Sequence, residues 1–190
     1  MSVWSFVPRW SFDVSDSKHT SALQILNNYH TATLKEPTML WEIAECEPCK
    51  EATTFNIRIV KYKLPSSFLM IGFFEQQQDF KRASENCWLI DIYKEQLVER
   101  NKRSQCDSGP IKEGSLITVE KDRSQCAVRF HVDYKQLKDK NGQDFGWRKT
   151  NLSQSDFDAL VACVWLWNES DNDIVVTIEA EPERIIDTVQ

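Results

Sequence analysis

The clearest alternation of apolar and polar positions along the chain lies between residues 114 and 134. From residue 126 onward, alternating β-branched and aromatic residues are typical of a half-buried antiparallel strand. One predicted face carries Cys126, Val128, Phe130, Val132 and Tyr134, and the other carries Ala127, Arg129, His131 and Asp133. Ile117 and Val119 predict an earlier strand, and the polar residues 121–124 predict the turn between the two strands. The region is therefore predicted to be a β-hairpin.

Shorter patterns of the same kind recur along the rest of the chain. They predict strands at residues 38–44, 55–60, 68–74, 87–93, 161–167 and 174–179. The aromatic pairs Trp4/Phe6 and Trp10/Phe12 also suit short strands. Residues 21–29 fit either a helical turn or a strand, and we favour a strand because the Thr-rich stretch that follows suits a second one. Roughly ten to thirteen short strands without a long helix predict an all-β sandwich.

The segments between these patterns are predicted to be loops and turns. Residues 94–111 are rich in charge and in Asn, Ser and Gly, and they are predicted to be the least ordered part of the chain. Residues 45–51 and 135–150 are predicted polar loops, the second with a turn at Asn141-Gly142. Ser153 is predicted to cap one helical turn before Phe157. Residues 1–190 are expected to form one domain, with a peripheral tail after Pro182.

Charge and composition narrow the classes of partner and compartment. The chain has 29 acidic and 23 basic residues and a net charge of −6. A nucleic-acid partner is therefore not expected. The acidic balance predicts a weak electrostatic attraction toward basic partners. No apolar run is long enough to span a membrane. Because the first residues do not resemble a secretory signal, the six cysteines are expected to be reduced thiols in the cytoplasm or the nucleus.

The order of the predicted strands resembles that of a SPRY domain. The hairpin matches the family pattern G-x-x-I-x-V-x-x-D…F-x-V through Gly114, Ile117, Val119, Asp122, Phe130 and Val132. Other matching segments are Leu40-Trp41-Glu42, Met70-Ile71-Gly72-Phe73, Ser84 to Trp88, Phe145-Gly146, Leu160 to Leu166 and Ile174 to Ile178. The resemblance covers residues 40–179 and extends more loosely to the N-terminus. Asp133-Tyr134 stands where the family has an Asn-Gly turn, so a turn of another shape is predicted there.

This resemblance implies an all-β fold, a bent sandwich of two antiparallel sheets. It also implies a non-enzymatic module that binds a peptide segment or a folded protein through loops at one end of the sandwich. In the family, such modules act as substrate recognisers in ubiquitin ligases or as adaptors in signalling and innate immunity. The loops at 75–82, 96–106 and 135–148 mix basic, amide and aromatic side chains, as binding surfaces do. The predicted partner-binding residues are Gln78, Lys81, Arg82, Arg100, Arg103, Tyr134, Lys138, Trp147, Arg148 and Trp167.

Three side-chain combinations suggest other chemistry. Cys46-x-x-Cys49 resembles half of a zinc or redox motif, but no second pair follows, so loop or core thiols are favoured and neither metal nor cofactor is expected. His131 and Asp133 share a predicted face, yet a polar outward face explains them better than catalysis does. Trp41 and Trp88 are predicted to be core. If Trp165 and Trp167 lie on an outer face, a lectin-like sugar or small-ligand site beside Asn168, Asp171, Asn172 and Asp173 is the alternative function.

Overall fold

The computed structural model describes residues 10–11, 22–46, 53–63, 66–75, 86–100, 102–107, 109–168 and 174–179. These ranges contain sixteen β-strands and one short helix. The first eight strands are β1 (Trp10–Ser11), β2 (Leu23–Leu26), β3 (Thr31–Leu34), β4 (Thr38–Cys46), β5 (Thr54–Tyr62), β6 (Ser67–Glu75), β7 (Cys87–Asp91) and β8 (Gln96–Glu99). The others are β9 (Lys102–Asp107), β10 (Leu116–Asp122), β11 (Ala127–Val132), β12 (Lys135–Gln136), β13 (Lys138–Asp139), β14 (Arg148–Lys149), β15 (Leu160–Asn168) and β16 (Ile174–Glu179), with helix α1 (Gln154–Asp158) before β15.

The strands form two antiparallel sheets, as the sequence predicted. The first sheet has the order β1-β4-β15-β6-β7-β8-β9-β13, and the second has the order β12-β11-β10-β5-β16-β3-β2 with β14 added beside β11. The sheets pack face to face, and Phe55 of β5 meets Phe73 of β6 edge-on at 5.9 Å across the core. The apolar side chains between the sheets are buried because each strand turns alternate residues inward.

The first sheet is apolar on both faces, whereas the second is apolar only on its inner face. In β15, Val164 and Leu166 point into the core between the sheets, while Val161 and Cys163 join a second buried cluster on the other face. The outer face of the second sheet carries polar pairs such as Thr118 Oγ1 donating to Asn56 Oδ1 at 2.7 Å. The predicted sandwich is therefore confirmed, and its two outer faces differ in chemistry.

The central hairpin is confirmed in outline and corrected in two details. Strands β10 and β11 pair from Ile117↔Val132 to Asp122↔Ala127. Lys121 was predicted to lie in the turn, but it is a buried strand residue whose Nζ donates to the Leu160 carbonyl at 3.4 Å. The turn begins only after Asp122, because that carboxylate accepts hydrogen bonds from the Ser124 and Gln125 amides.

The prediction that residues 94–111 are poorly ordered was wrong, since this segment contains β8 and β9. Only Leu97 and Val98 are both apolar and buried in β8, and β9 exposes most of its side chains at one side of the sheet. These polar strands are held in place by strand pairing, of β8 with β7 and of β9 with β8, and not by an apolar periodicity of their own. The predicted count of ten to thirteen strands was low for the same reason, and the polar segment 135–150 similarly holds β12, β13 and β14.

Several other local predictions are confirmed or corrected. Strands β2 and β3 pair with each other across the turn at residues 27–30, so the strand interpretation of this ambiguous stretch was right. Strand β4 continues through Cys46, two residues into the predicted loop, while residues 47–52 lie outside the described ranges. Ser153 is the N-cap of α1 and accepts from the Asp156 amide, and Gly142 lies in the predicted turn. The predictions for Trp4, Phe6 and the tail after Pro182 concern residues outside the described ranges.

Candidate functional site

One end of the sandwich brings together side chains from both sheets. Strand β8 ends there at Glu99, and β14 of the second sheet lies beside it. The two strands and the connection from β8 to β9 border a solvent-facing cleft of roughly 480 Å³, which we call the basic cleft. Its described lining residues are Trp88, Glu99, Arg100, Lys102, Arg148, Lys149, Thr150 and Asn151.

Arg148 and Glu99 form an ion pair in the lining of the basic cleft. Arg148 Nε lies 2.7 Å from one Glu99 carboxylate oxygen and a terminal guanidinium nitrogen lies 2.7 Å from the other. The hydrogen bonds to Glu99 raise the pKa of Arg148 above its ordinary value, against the opposing effect of burial. The pair cancels one positive charge, and the other basic residues of the described lining are Arg100, Lys102 and Lys149.

Arg100 is held at the rim of the basic cleft in an uncommon backbone conformation. Its φ is +57°, in the left-handed region that side chains other than Gly, Asn and Asp rarely adopt. The Arg100 amide donates to the Cys87 carbonyl at 2.7 Å, and the guanidinium donates to Asn86 Oδ1 at 2.8 and 3.1 Å. Asn151, on the opposite rim, also has a positive φ of +58°. Two left-handed non-glycine residues thus line a single cleft.

Trp147 lies in a neighbouring pocket rather than in the basic cleft. Its ring is capped by the Arg129 guanidinium, whose central carbon lies 4.3 Å from the ring centroid. Arg129 in turn pairs with Glu120 at 2.8 Å, and Glu120 also lies 2.9 Å from His131 Nε2. The half-buried Trp147 therefore faces a polar surface that includes Thr53, Thr54 and the turn after Asp122.

The carboxylate that His131 contacts is that of Glu120 and not that of Asp133. His131 meets Glu120 on the neighbouring strand, whereas Asp133 lies beyond the strand in a turn. Asp133 accepts from the Leu116 amide at 2.8 Å and from the Ser115 hydroxyl at 3.3 Å. The His131–Asp133 arrangement considered from the sequence is thus absent, because Asp133 fixes the turn instead.

Tyr134 corrects two predictions about the end of the hairpin. It was assigned to the buried face, but its side chain is 71 % exposed. The two residues Asp133 and Tyr134 connect Val132 to Lys135, and their φ values are +48° and +65°. Both values are positive, as in the two-residue turn that Asn-Gly favours, so the prediction of another turn shape was wrong. The sequence Asp-Tyr does not favour this turn by itself, and the hydrogen bonds that Asp133 accepts stabilise it.

The predicted binding residues are divided between the two ends of the sandwich. Arg100 and Arg148 share the basic cleft, with Trp147 next to it, whereas Tyr134 follows the opposite end of β11. Six residues of β11 separate those ends by about 20 Å. Lys138 belongs to β13, which pairs with Asp107 far from the cleft. The predicted residues that the structure describes do not form a single surface.

Several of these residues are on strands and not, as predicted, on loops. Arg103 lies on β9 and reaches Asp91 at 3.6 Å, so residues 96–106 are mainly strand. Arg148 lies on β14. Gln78, Lys81 and Arg82 are outside the described ranges, so their predicted role stays a prediction. Sequence reasoning missed Lys102, Lys149 and Asn151. The neighbours Arg148 and Lys149 gave a signal for one of them, but nothing local linked them to β8.

Trp165 and Trp167 lie on the outer face of the first sheet, the case left open by the sequence. Trp167 stacks on Phe68 with ring centroids 4.5 Å apart. Trp41, which was predicted to be core, lies 5.7 Å from Trp167 and is half-buried on the same face. Trp88 is buried as predicted. Asn168 is fully buried, so it is unavailable for a sugar, and Asp171, Asn172 and Asp173 lie outside the described ranges.

The described cysteines are free thiols. Cys46 is buried at the end of β4, and its proposed partner Cys49 falls outside the described ranges. Burial raises the pKa of Cys87 to about 11 and that of Cys106 to about 12. Within the described ranges, no three His, Cys, Asp or Glu side chains come together as metal ligands would, and no helix is long enough to cross a membrane.

Comparison with solved structures identifies the fold. The SPRY domain of human HERC1 superposes with a TM-score of 0.61 at 14 % identity, over 92 % of this chain and all of that one. A second human SPRY domain gives a TM-score of 0.55 at 12 % identity, over 86 % of this chain and 99 % of the other. No family model matches the sequence, and no curated protein matches it either. The chain therefore has the SPRY fold.

Proposed function

We propose that this SPRY-fold chain is a non-enzymatic interaction module that binds a peptide segment or a folded protein at the basic-cleft end of its sandwich. SPRY domains generally serve as protein-interaction modules, and the fold is the starting point of this proposal. The observation that carries the choice of end is the meeting of Arg100 and Arg148, from two sheets, around one open cleft. Trp147 on the adjoining surface provides an aromatic anchor of the kind that dominates binding energies.

Rigid support makes this end suitable for recognition. The Arg148–Glu99 pair and the strand β14 fix the cleft between the two sheets, so little side-chain order must be gained on binding. Arg100, Trp147 and Arg148 are the residues that we propose as partner contacts. In keeping with the resemblance, the partner is either a substrate presented to a ubiquitin ligase or a component of immune signalling, read by this module as an adaptor in the cytoplasm or the nucleus.

Affinity capture from cell extract with matched variants tests this assignment. One variant combines Lys149→Glu in the basic cleft with Trp147→Ala in the neighbouring pocket, and the control combines Tyr134→Ala with Lys138→Glu at the opposite end. Each removes one aromatic ring and reverses one lysine, so the two variants have the same net charge. Proteins retained by the control and lost from the first variant are the expected result.

Two results would contradict the proposal in different ways. If both variants retain every captured protein, the binding surface lies elsewhere on the domain. If the native chain captures no protein under any condition, the interaction-module function is wrong. Ubiquitin-ligase subunits or immune signalling proteins among the captured set would support the finer assignment, and their absence would remove it. Circular dichroism of each variant shows that the sandwich is intact.

A further inference from the structure

We infer that the basic cleft recognises an acidic segment, a stretch of peptide with several Asp or Glu side chains, in the partner. This inference rests on the proposed function and specifies the chemistry of the ligand. The chain as a whole is acidic, with a net charge of −6. The described lining of the cleft has the opposite sign, with four basic residues and one acidic residue. The local charge of the cleft therefore favours an acidic partner, whereas the net charge of the chain favours a basic one.

Two positive charges of the cleft, those of Lys102 and Lys149, are available for a ligand. Lys102 and Lys149 are exposed, and neither forms an ion pair within the part of the chain that the structure describes. Arg148 is already engaged by Glu99 through both prongs of its guanidinium. A ligand would therefore meet charges on both rims, from the β8–β9 connection on one side and β14 on the other. Carboxylates spaced along a peptide suit this spread arrangement better than one compact anion does.

The backbone at Arg100 supports a binding role independently of the charge. Arg100 follows Glu99, the residue of β8 that pairs with Lys102 of β9, and its φ is +57°. Asn, Asp and Gly are the residues favoured at that position. A left-handed arginine is strained relative to them, and such strain is concentrated at ligand-binding sites. The chain thus keeps a cation at the rim where a turn residue would give a more stable hairpin.

Calorimetric titration of the full chain with short synthetic peptides tests the inference. The peptides have the same length and differ only in being rich in Glu, Gln or Lys. We expect the Glu-rich peptide to bind in the micromolar range, to bind more weakly as NaCl is raised, and to outcompete both others. Lys102→Glu with Lys149→Glu should weaken it about tenfold, since two ion pairs of modest strength are lost.

Two further variants separate local charge from net charge and from folding. Lys35→Glu combined with Lys112→Glu changes two exposed lysines outside the cleft and gives the protein the same net charge as the cleft variant. This control should leave the affinity unchanged. Arg100→Asn suits the left-handed turn position and should weaken binding without lowering the melting temperature. Equal losses in the two double-lysine variants would overturn the inference, because they would show binding to overall charge.

Other results would replace the acidic peptide with another ligand. Equal binding of the Glu-rich and Gln-rich peptides would mean that the cleft does not read charge. Displacement of the Glu-rich peptide by millimolar inorganic phosphate, or tighter binding of a single-stranded oligonucleotide, would indicate a site for phosphate groups instead. If the capture experiment succeeds while the Glu-rich peptide fails, only this inference falls. If the peptide binds while no protein is captured, the proposed module lacks its partner and the broader function falls.

Discussion

Glu99 and Arg148 lie 49 residues apart in the sequence and meet through two hydrogen bonds of 2.7 Å. Glu99 ends β8 of the first sheet, and Arg148 begins β14 of the second. The pair thus joins the two sheets at the end where the basic cleft lies. The Glu99 side chain is only 13 % exposed, so its carboxylate depends on this guanidinium for compensation.

Removing Arg148 should therefore destabilise the domain. Arg148→Ala leaves the Glu99 carboxylate without its charged partner, and we expect the free energy of unfolding to fall by about 2 kcal/mol. Arg148→Lys should recover only part of this loss, because lysine cannot form the two-pronged contact. Urea denaturation measures both. Arg123→Ala is the control, since the Arg123–Asp158 pair is exposed and its loss should cost much less than the loss of the Arg148–Glu99 pair. Equal effects at the two sites would show that the inter-sheet pair is not special.

Gly72 should be irreplaceable at its position in β6. A Cβ atom there would lie 2.1 Å from the Trp88 carbonyl oxygen of the neighbouring strand. Because that atom belongs to the backbone, it cannot move without separating β6 from β7. We expect Gly72→Ala to cost at least about 3 kcal/mol or to prevent folding, as judged by soluble yield and urea denaturation.

Gly142→Ala is the matched control for Gly72. It lies in an open turn with a positive φ of +78°, and nothing lies within 4 Å of its added Cβ. The Gly142→Ala protein should lose only about 1 kcal/mol of stability, because alanine is strained in this left-handed conformation. A Gly72→Ala protein that is as stable as the Gly142→Ala protein would contradict the close approach of the two strands.

Tyr134→Gly should stabilise the hairpin. Its φ of +65° is strained for tyrosine but relaxed for glycine, and the exposed ring gives up little packing. We expect a gain of about 0.5–1 kcal/mol, measured as a rise in melting temperature. Tyr134→Ala removes the same ring but keeps the strain, so it should show no such gain. If the two variants have the same melting temperature, backbone strain is not the cause.

High pH should weaken the folded state through the buried thiols. Burial raises the pKa of Cys87 to about 11 and of Cys106 to about 12, from an ordinary value of 9.0. The unfolded chain therefore loses these protons first, which favours unfolding. The stabilising contribution is complete below about pH 9 and is lost as the pH rises toward the folded-state values, with up to about 1.4 kcal/mol per pH unit for each thiol.

Urea denaturation between pH 8 and about 11 measures this decline. Cys87→Ala combined with Cys106→Ala should make the decline shallower, whatever its effect on stability at neutral pH. Some dependence should remain, because burial also raises the pKa of Cys163 and of Tyr62. An unchanged slope in the double variant would show that these thiols ionise equally well in the folded chain.

Local patterns were sufficient wherever one strand face is apolar and the other is polar. Phe130 and Val132 alternate with Arg129 and His131, and the structure buries the first pair as the alternation predicts. The Ser153 cap was equally readable, because it depends on residues within one helical turn. Strand β8 was not, since its apolar residues Leu97 and Val98 are adjacent and show no alternation. Its identity as a strand depends on pairing with β7.

The candidate site was predictable only in part, and for a related reason. The sequence indicated Arg100, Trp147 and Arg148 as suitable residue types, but it gave no measure of which would meet. It also placed Trp41 in the core, although contact with Trp167 holds that ring on the outer face of the first sheet. Alternation separates two faces of a strand. It does not reveal which face another sheet covers.

The sequence by itself determined the two-sheet sandwich, the central hairpin and the likeness to SPRY domains, because these depend on the spacing of neighbouring residues. Only the tertiary structure decided the turn at Tyr134, the pairing of Arg148 with Glu99 and the basic cleft. Asp133 holds that turn through Ser115 and Leu116. The cleft requires β8 and β14 to lie side by side. Contacts of this kind depend on the register of strands far apart in the chain, which no local pattern specifies.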